Sequence, residues 1–461
     1  MITLLGLDKL DTSHVFLLGI AGAGQYPLAE MLLDMGCKIS GSDLKPGVSG
    51  EKLRQRGVTV YEGHDPSNLQ DATLLVITAA SNDNNPELVE AQARGIRTLT
   101  NAQMVAIVVN SKRCLAIAGT HGKTTTTNLV AGLMSRAGLE PTFYIGGVSR
   151  DLGRSGGVGK GEFSVVEADE YARRFLEYHP DAALVTNIEA DHLDYYGDFE
   201  NLKAAYHKFA TQARRLFFCA DEPNARLLGE QFLKERGSGV YFYGLDGMAD
   251  WRAANVEPNS LGGNDFTLWQ GKQMQARVSL ALSGLHNVRN AVGALAMCIT
   301  VAPHVPPTKF CELISELQGT ARRFEVKGEK NGVVVVDDYA HHPTEIAATL
   351  ASARQRYSGR RLVALFQPHT YSRTKALLEE FAGAFSLADR VALMEIFPSR
   401  ETDNLGVSSV DILSRMQHPG KLEQVLTHLN AHAALKEILQ PGDVLLTLGA
   451  GDVWKVADGL L

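Results

Sequence analysis

The sequence predicts an α/β protein with mostly parallel sheets and more than one domain. Three segments repeat one order, in which a short apolar run is followed by a turn and a helix-like pattern. Strands buried on both faces of a parallel sheet read as such continuous apolar runs. A chain of 461 residues also exceeds one hydrophobic core, so we expect two or three domains. The apolar runs lie at residues 14–19, 114–119 and 361–366, and the helices are predicted at residues 28–35, 130–137 and 375–385.

The first apolar run leads into a glycine turn that contains Gly19, Gly22 and Gly24. The next predicted strand, at residues 37–43, ends on Asp43. Backbone N–H groups at such a turn can bind phosphate, and an acidic residue at the end of the second strand can bind ribose hydroxyls. Taken alone, this pattern would suit a dinucleotide-dependent oxidoreductase, although a turn of this kind is weakly diagnostic by itself.

The second apolar run leads into the string Gly-Thr-His-Gly-Lys-Thr-Thr-Thr-Thr at residues 119–127. A strand, a glycine turn and a helix N-terminus form an anion site, because unpaired N–H groups and the helix dipole both face the ligand. We expect Lys123 to bind the terminal phosphates of a nucleotide and Thr124 to offer a hydroxyl to magnesium. The strict Walker pattern is not met, since Ile117 stands where its first glycine belongs. A turn that merely caps a helix is the plainer alternative, but the strand-turn-helix context favours nucleotide binding.

Acidic segments follow two further predicted strands. The strand at residues 163–166 leads into Glu-Ala-Asp-Glu, which begins at Glu167, and the strand at residues 182–185 leads into a segment that contains His192. Ligands of open α/β sheets bind at the carboxyl ends of the strands, and Mg²⁺ prefers hard oxygen ligands. Each segment alone could be a solvated acidic loop. Two of them beside a phosphate-binding turn favour a metal site.

Polar segments mark the domain boundaries. Residues 110–113 precede a new buried strand, and residues 318–323 separate a helix from the strand predicted at residues 333–336. We therefore predict domains at residues 1–110, 111–320 and 321–461.

The composition excludes several classes of protein. Hydrophobic residues make up 45% of the chain and charged residues 21%, as in soluble globular proteins. The formal charge of −7 leaves no basic excess to displace phosphate counterions, so we expect no nonspecific nucleic-acid binding. Five scattered cysteines without a Cys-x-x-Cys pair indicate a reducing compartment. The apolar start is too short for a signal peptide, and no apolar stretch reaches the length of a membrane span, so we expect a cytoplasmic protein without membrane insertion.

Seven ordered motifs give the chain a resemblance to the Mur ligase family, whose members join amino acids to a peptidoglycan precursor. They are the phosphate loop, the two acidic segments, and the strings His-Asn-Val-Arg-Asn at 286–290, Ala-Arg-Arg-Phe-Glu at 321–325, Asp-Asp-Tyr-Ala-His-His-Pro-Thr at 337–344 and Phe-Gln-Pro-His-Thr-Tyr-Ser-Arg-Thr at 366–374. The resemblance covers nearly the whole chain and implies three domains. These are an N-terminal Rossmann-like domain for a UDP-sugar, a central P-loop ATPase-like domain for ATP, and a C-terminal Rossmann-like domain for the amino acid.

The resemblance also implies roles for residues around ATP and magnesium. It makes Lys123 the phosphate-binding lysine, Thr124 and Glu167 ligands of a first magnesium ion, and His192 a ligand of a second. His286, Asn287 and Asn290 match residues near the adenine, and Arg322, Arg323 and Asp338 match C-terminal residues that contact the nucleotide. The expected ATP-binding residues are Gly119, Thr120, His121, Gly122, Lys123, Thr124, Thr125, His286, Asn287, Asn290, Arg322, Arg323 and Asp338.

The C-terminal motifs resemble an amino-acid pocket, whose wall would contain His341, His369, Tyr371 and Arg373. Arg373 is the candidate for the amino-acid carboxylate, because a guanidinium can pair with a carboxylate through two hydrogen bonds. Without the motif, Arg373 would read as an exposed cation at a helix start. No unique general base is visible, and His341 is a candidate.

In the N-terminal domain, the resemblance assigns the glycine turn to UDP. The backbone around Gly19, Gly22 and Gly24 would bind the pyrophosphate, and Asp43 would bind the uridine.

Departures from the family pattern concentrate in the N-terminal domain. Residues 19–24 read Gly-Ile-Ala-Gly-Ala-Gly where many members have Gly-Ile-Gly-Gly-Ile-Gly. Residues 78–81 read Thr-Ala-Ala-Ser in place of Ser-Ser-Ala, and residues 100–104 read Thr-Asn-Ala-Gln-Met in place of Arg-Ala-Glu-Met. Tyr171 and Ala172 replace a common Ser-Asp pair near the expected substrate carboxylate. The motifs therefore constrain the identity of the sugar nucleotide less than any other part of the predicted function.

Within the family, the strings at residues 337–343 and 366–373 point to the branch that adds L-alanine and to its relative that recycles a tripeptide. The string at residues 189–194 favours the branch that adds L-alanine. The implied reaction joins L-alanine to the lactyl carboxylate of UDP-N-acetylmuramate through an acyl phosphate, with ATP and two magnesium ions. A monomer or a homodimer is expected. The nearest alternative is the branch that recycles a tripeptide, and an oxidoreductase or a regulatory NTPase is more remote.

Overall fold

The computed structural model describes residues 10–78, 81–399 and 401–461. The apolar start of the chain at residues 1–9 and two positions of the 78–81 departure, residues 79 and 80, lie outside the described part. Internal contacts divide the chain into two compact units. The first unit runs through Ala254 and adds residues 267–278 and 289–319, and the second contains residues 255–266, 279–288 and 320–461.

The first unit begins with a five-stranded sheet in the order β3-β2-β1-β4-β5, in which all neighbouring strands are parallel. Chain order reverses on either side of β1, so a crevice opens where β1 and β4 end, as in dinucleotide-binding folds. This agrees with the predicted Rossmann-like start. Its elements are β1 (His14–Leu18), α1 (Gln25–Asp34), β2 (Lys38–Asp43), α2 (Gly47–Gln55), β3 (Thr59–Glu62), β4 (Leu74–Ile77), α3 (Pro86–Ala93), β5 (Arg97–Thr100) and α4 (Asn101–Val109).

A ten-stranded sheet follows, in the order β15-β14-β13-β12-β11-β10-β6-β9-β7-β8. Along the sheet from β13 to β7, all neighbouring strands are parallel. At the edge of the sheet, β8 is antiparallel to β7. Its strands are β6 (Arg113–Ala118), β7 (Thr142–Tyr144), β8 (Gly156–Gly157), β9 (Phe163–Glu167), β10 (Ala182–Val185), β11 (Arg215–Cys219), β12 (Val240–Gly244), β13 (Trp251–Pro258), β14 (Asn264–Gln270) and β15 (Gln273–Leu280). The helices of this region are α5 (Lys123–Arg136), α6 (Leu193–Tyr196), α7 (Phe199–Thr211), α8 (Pro223–Arg236), α9 (Leu285–Val301) and α10 (Pro307–Leu313).

One prediction about this region is corrected. The helix expected at residues 130–137 begins at Lys123, so the threonines at 124–127 form its first turn and are not part of the loop. β-Branched threonine is a modest helix former, which hides the start from a pattern analysis. The four threonines are buried beside β6 and β9, and this packing stabilises the helix there.

The second unit is built on a six-stranded sheet in the order β16-β17-β21-β18-β19-β20. All its pairings are parallel except that of β16 with β17. Its elements are β16 (Glu325–Lys330), β17 (Val333–Asp338), α11 (Pro343–Arg356), β18 (Leu362–Phe366), α12 (Tyr371–Ala376), α13 (Leu378–Gly383), β19 (Arg390–Met394), α14 (Ser409–Arg415), β20 (Lys421–Leu426), α15 (His428–Ile438), β21 (Val444–Leu448) and α16 (Trp454–Leu460).

The single helix predicted at residues 375–385 is also corrected. Two short helices, α12 and α13, meet at Leu377, whose backbone is non-helical with φ −122° and ψ 29°. The break separates the turn that carries Arg373 from the apolar turn that packs Phe381 into the core.

Within the first unit, Glu30 on α1 ties the two sheets together. Its side chain is 5% exposed, and Oε2 accepts hydrogen bonds from Ser155 N at 3.0 Å, Ser155 Oγ at 3.1 Å and Gly156 N at 3.0 Å. Asp34, one turn later, accepts from Val158 N at 3.0 Å and pairs with Arg154 at 2.9 Å. Apolar residues of both sheets share one continuous core. The glycine turn and the phosphate loop therefore belong to one packed body.

All five cysteines, which lie within the described part of the chain, carry free thiols. Among the described helices, none combines the length and the apolarity needed to cross a bilayer.

Candidate active site

The phosphate loop connects the carboxyl end of β6 to the N-terminus of α5. Gly119 adopts φ 135°, and a Cβ built there would lie 1.9 Å from Oγ1 of Thr186. Gly122 caps α5 with φ 81°, and its Cβ would lie 2.9 Å from Oδ1 of Asn290. Both glycines are required by backbone conformation and by the close approach of neighbouring side chains. The first N–H groups of α5 lack helical acceptors and can bind an anion.

Thr186 and Asn187, which directly follow β10, hold this loop in shape. Oγ1 of Thr186 donates to His121 O at 2.6 Å, and Oδ1 of Asn187 accepts from His121 N at 2.8 Å. Oγ1 of Thr120 accepts from Glu189 N at 2.9 Å, which adds a third tie to the same segment. The sequence predicts this strand end correctly, but the support that these residues give to the loop is visible only in the fold.

Lys123 lies under the loop with its three donors occupied. Its Nζ donates to Gly119 O at 2.5 Å, to Thr120 O at 3.1 Å and to the carboxylate of Glu170, which it approaches to 2.9 Å. The Lys123 side chain is 14% exposed and that of Glu170 is 1% exposed. Burial alone would lower the pKa of Lys123, but the carboxylates of Glu170 and Asp169 more than offset it, so the pKa is raised. Lys123 is therefore a charged ammonium, and the sequence patterns do not predict Glu170 as its carboxylate partner.

Thr124 and Glu167 meet at the ends of α5 and β9. Oγ1 of Thr124 donates to Oε1 of Glu167 at 2.9 Å. Oε2 of the same carboxylate accepts from Gly146 N at 2.7 Å, and a Cβ at Gly146 would lie 2.6 Å from Oε1. A hydroxyl and a carboxylate are hard oxygen donors beside a phosphate loop, and this donor set fits Mg²⁺. The structure thus brings together the two residues predicted to share a magnesium ion.

His192 directly precedes α6, at the same edge of the sheet. Its backbone is left-handed with φ 54°, and its ring packs edge-on against Tyr171 with centroids 5.1 Å apart. Nε2 lies 3.8 Å from Oδ2 of Asp191. Burial raises the pKa of Glu170, and both Lys123 and His192 oppose that rise. His192 is therefore electrostatically close to the Lys123–Glu170 pair.

The glycine turn occupies the crevice at the end of β1. Gly19 has φ 73°, and Gly22 N donates to Gly19 O at 2.9 Å to close a tight turn. The carboxylate of Asp43 accepts from Ala21 N at 3.3 Å and from Lys45 N at 2.9 Å. Asp43 thus fixes the turn against the end of β2, at the edge where ligands of such sheets bind.

The residues expected near the adenine lie at the start of α9. Asn290, in the first unit, packs against Gly122 of the phosphate loop. His286 and Asn287 fall in the second unit, and Nδ2 of Asn287 donates to Ser283 O at 2.8 Å. Within the first unit, the structure therefore places Asn290 directly beside the loop.

In the second unit, Arg322, Arg323 and Asp338 gather around Tyr339. Both guanidinium carbons lie 5.0 Å from the Tyr339 ring centroid. Nε of Arg322 donates to buried Asp337 at 3.0 Å. Asp338 accepts from Phe324 N and Ala340 N, each at 2.7 Å, and burial raises its pKa to about 6. These residues form one network at the end of β17.

His341 follows the same strand. Its Nδ1 donates to Tyr339 O at 3.0 Å, because a carbonyl can only accept, so Nε2 carries the free lone pair of the neutral ring. Burial lowers its pKa to about 3, an effect that Glu345 opposes and Arg373 reinforces. The His369 ring centroid is 6.0 Å away, and His369 stacks on Phe397 at 5.7 Å. The structure therefore brings His341 and His369 together, and the effect of Arg373 on the pKa of His341 indicates that its charge lies nearby.

Tyr371, the fourth predicted pocket residue, begins α12. Glu401 accepts hydrogen bonds from Tyr371 N and from Oγ of Ser372, and so caps the helix that carries Arg373. A carboxylate at this end also suits the helix dipole. The sequence does not predict this role of Glu401, because a cap from another segment leaves no local pattern.

Comparison with known proteins gives the same architecture. The Mur ligase family catalytic domain matches residues 14–113, the Mur ligase middle domain residues 117–298, and the Mur ligase glutamate ligase domain residues 322–451. A UDP-N-acetylmuramate–L-alanine ligase from Desulforapulum autotrophicum is 37% identical over 97% of this chain and 98% of its own length.

Two solved structures share the fold. A UDP-N-acetylmuramate–alanine ligase from Thermotoga maritima superposes with a TM-score of 0.82 at 24% identity, covering 97% of this chain and 98% of its own. A murein peptide ligase from Psychrobacter arcticus does so with a TM-score of 0.72 at 27% identity, covering 97% and 98%. The three-domain α/β fold predicted from the sequence is thereby confirmed. The chain belongs to the Mur ligase family.

Proposed function

We propose that this chain is an ATP-dependent ligase that joins L-alanine to the lactyl carboxylate of UDP-N-acetylmuramate, in peptidoglycan precursor synthesis. The observation that carries the proposal is its 37% identity, over nearly all of both chains, to a ligase with that specificity. The chemistry is supported by Lys123 beside the contact of Thr124 with Glu167. Because ATP and UDP-N-acetylmuramate are intracellular nucleotides, we place the reaction in the cytoplasm.

In this proposal, each predicted domain binds one substrate. Residues 1–110 would bind the UDP-sugar through the glycine turn and Asp43. Residues 111–320 would bind ATP through the phosphate loop. Residues 321–461 would bind L-alanine through His341, His369, Tyr371 and Arg373.

The first chemical step is transfer of the γ-phosphoryl group of ATP to the lactyl carboxylate, which gives an acyl phosphate and releases ADP. The Lys123 ammonium and the N-terminal amides of α5 stabilise negative charge on the phosphoryl oxygens. Thr124 and Glu167 would hold one magnesium ion, and His192 a second. Bound magnesium supplies Lewis acidity at those oxygens.

The second step is attack by the α-amine of L-alanine, which releases phosphate and forms the amide. Arg373 would bind the alanine carboxylate and so orient the amine. Nε2 of neutral His341 is the candidate acceptor for the proton that the amine loses. Its pKa of about 3 makes it a weak base, so its contribution would come from position.

A second candidate is a ligase that recycles a peptide. The likeness to the murein peptide ligase, at 27% identity and a TM-score of 0.72, is the observation that favours it. The two candidates share the activating chemistry and differ in the acceptor, so the amino-acid substrate distinguishes them.

The deciding experiment is phosphate release from ATP, with magnesium and UDP-N-acetylmuramate, across single amino acids and L-Ala-γ-D-Glu-diaminopimelate. We expect release that requires both the sugar nucleotide and L-alanine. Release with the tripeptide alone would favour the recycling ligase, and release without the sugar nucleotide would refute both. Lys123→Ala should abolish release, whereas Lys309→Ala, which alters an exposed lysine on α10, should not.

A further inference from the structure

Three residues at the end of β7, 144–146, contact both ends of the proposed reaction site. Tyr144 is the last residue of β7, and its hydroxyl donates to Gly24 O, at the end of the glycine turn, over 2.9 Å. Gly146, two residues later, donates its N–H to the Glu167 carboxylate over 2.7 Å. Two residues of extended chain span about 7 Å at most, so the two sites are joined by a short connection.

At the glycine turn, Tyr144 is part of a buried polar network. Nδ2 of Asn101 donates to Gly24 O at 3.0 Å and to Oε1 of Gln25 at 2.9 Å, and Oδ1 of Asn101 accepts from the Tyr144 hydroxyl at 3.3 Å. Nε2 of Gln25 donates in turn to Leu18 O at 3.1 Å and to Val76 O at 3.0 Å. The turn is thus fixed to the ends of β1 and β4 and, through Tyr144, to the central sheet.

The network is well shielded from water. Gln25 is 0% exposed, Asn101 6% and Tyr144 9%. Water has little access to such a hydrogen bond, so loss of the Tyr144 hydroxyl would leave Gly24 O with Asn101 as its side-chain donor and would weaken the link to the central sheet. Asn101 also lies in the 100–104 segment that departs from the family pattern, and the network gives that departure a structural role.

At the other end, the same three residues fix the metal-binding carboxylate. Gly146 N holds Oε2 of Glu167, while Oε1 accepts from Thr124. The absence of a side chain at Gly146 matters, because a Cβ would lie 2.6 Å from Oε1. A shift of the end of β7 therefore moves the hydrogen-bond donor that aims Glu167.

We propose that Tyr144 is a positioning residue that couples the UDP-sugar turn to the magnesium-binding carboxylate, so that occupation of one site raises the affinity of the other. This inference rests on the proposed function. The hydroxyl of Tyr144 transmits a displacement of Gly24 to the end of β7, and Gly146 passes it to Glu167. Coupling of this kind is reciprocal, so each ligand changes the affinity of the other by the same factor.

The test is a binding cycle by calorimetry on the full chain. UDP-N-acetylmuramate is titrated with and without a non-hydrolysable ATP analogue plus magnesium, and the ratio of the two Kd values is the coupling factor. We expect a factor of about five or more in the parent protein. In Tyr144→Phe the factor should fall at least about threefold, as loss of one buried hydrogen bond predicts.

Ser164→Ala is the matched control. Oγ of Ser164 donates to Val109 O at 2.6 Å, so this variant also removes a buried hydroxyl that links the central sheet to α4, but away from both sites. Its coupling factor should equal that of the parent. Asn101→Ser, which removes the amide donors to Gly24 and Gln25, is the second variant and should lower the factor in the same direction.

Three results would overturn the proposal. They are a parent in which both ligands bind independently, a folded Tyr144→Phe protein with unchanged coupling, and an equal loss of coupling in Ser164→Ala. Thermal unfolding of each variant identifies a general loss of structure. A parent that binds no UDP-N-acetylmuramate would refute the proposed function itself, and the coupling with it.

Discussion

The ammonium of Lys123 and the carboxylate of Glu170 form an ion pair at 2.9 Å, beneath the phosphate loop and almost out of contact with water. Each buried charge is tolerable because the other is present. The pair therefore contributes to stability as well as to the proposed binding of ATP.

A double-mutant cycle measures that contribution. Lys123→Met leaves a buried carboxylate without its partner and should lower the free energy of unfolding by about 3 kcal/mol. Adding Glu170→Gln should recover at least about 1 kcal/mol of this loss, because the orphaned charge is removed. Chemical denaturation gives the free energies of unfolding of the parent, the two single variants and the double variant. The exposed pair of Arg226 and Glu230, 3.0 Å apart on α8, is the control and should show little coupling. Additive effects at the buried pair would contradict the interpretation.

The second prediction concerns Gly119. Gly119→Ala should reduce kcat/KM for ATP about 100-fold, because the new Cβ must displace Thr186, which holds the loop. Gly138→Ala is the matched control, since Gly138 also has a positive φ, 77°, but nothing within 4 Å of a new Cβ. It should lower stability by about 1 kcal/mol and leave ATP kinetics unchanged. Equal kinetic effects in the two variants would show that backbone strain, and not the collision, governs the loop.

The third prediction concerns the magnesium requirement. Thr124→Val removes the hydroxyl that meets Glu167 and should raise the Mg²⁺ concentration for half-maximal activity at least about tenfold. Thr124→Ser keeps the hydroxyl and should behave like the parent. Thr127→Val makes the same change one turn later, where the hydroxyl donates only to Lys123 O at 2.8 Å. A magnesium response shared by Thr124→Val and Thr127→Val would argue against a metal ligand at Thr124.

The fourth prediction is a pH dependence of stability that originates at His341. Its folded pKa, about 3, lies below the ordinary value of 6.5, so between these pH values the unfolded chain binds a proton that the folded chain does not. The contribution of His341 is therefore fully present above pH 6.5 and is lost as the pH falls toward 3, by up to about 1.4 kcal/mol per pH unit. The measurement is chemical denaturation at several pH values. The difference in free energy of unfolding between the parent and His341→Gln should become smaller as the pH falls from 6.5 toward 3.

Asp338 supplies the control of opposite sign. Its folded pKa, about 6, lies above the ordinary 3.8, so its contribution is present below pH 3.8 and is lost as the pH rises through 6. The difference between the parent and Asp338→Asn should therefore shrink with rising pH. If the stability differences for His341→Gln and Asp338→Asn changed in the same direction with pH, the proposed origin of the pH dependence would be disproved.

Much of the fold could be predicted because buried strands and glycine turns are local patterns. The strand predicted at residues 182–185 is β10, and the carboxyl ends of β6, β9 and β10 gather the residues that the motifs selected. The start of α5 and the break at Leu377 escaped prediction, because packing decides them and propensity does not.

The supporting contacts could not be predicted for a different reason. Spacing indicates that Glu167 and Glu170 end a strand, but not which of them faces Lys123, a residue more than forty positions earlier in the chain. The same holds for Glu401 and for Tyr144, whose partners lie on segments remote in sequence. Such contacts depend on register and on side-chain direction in the folded protein.

The attachment of Glu30 to Ser155 and Gly156 bears on how the chain can be divided and recombined. A cut near residue 110 would leave the Glu30 carboxylate without three donors and would expose the core that α4 shares with the central sheet. Residues 10–110 should therefore not be exchangeable as an independent domain, although the strand order of the first sheet suggests an independent domain. The six-stranded sheet has its own core, but its compact unit also contains residues 255–266 and 279–288. A chimera with a relative of different specificity should therefore exchange these segments together with residues 320–461.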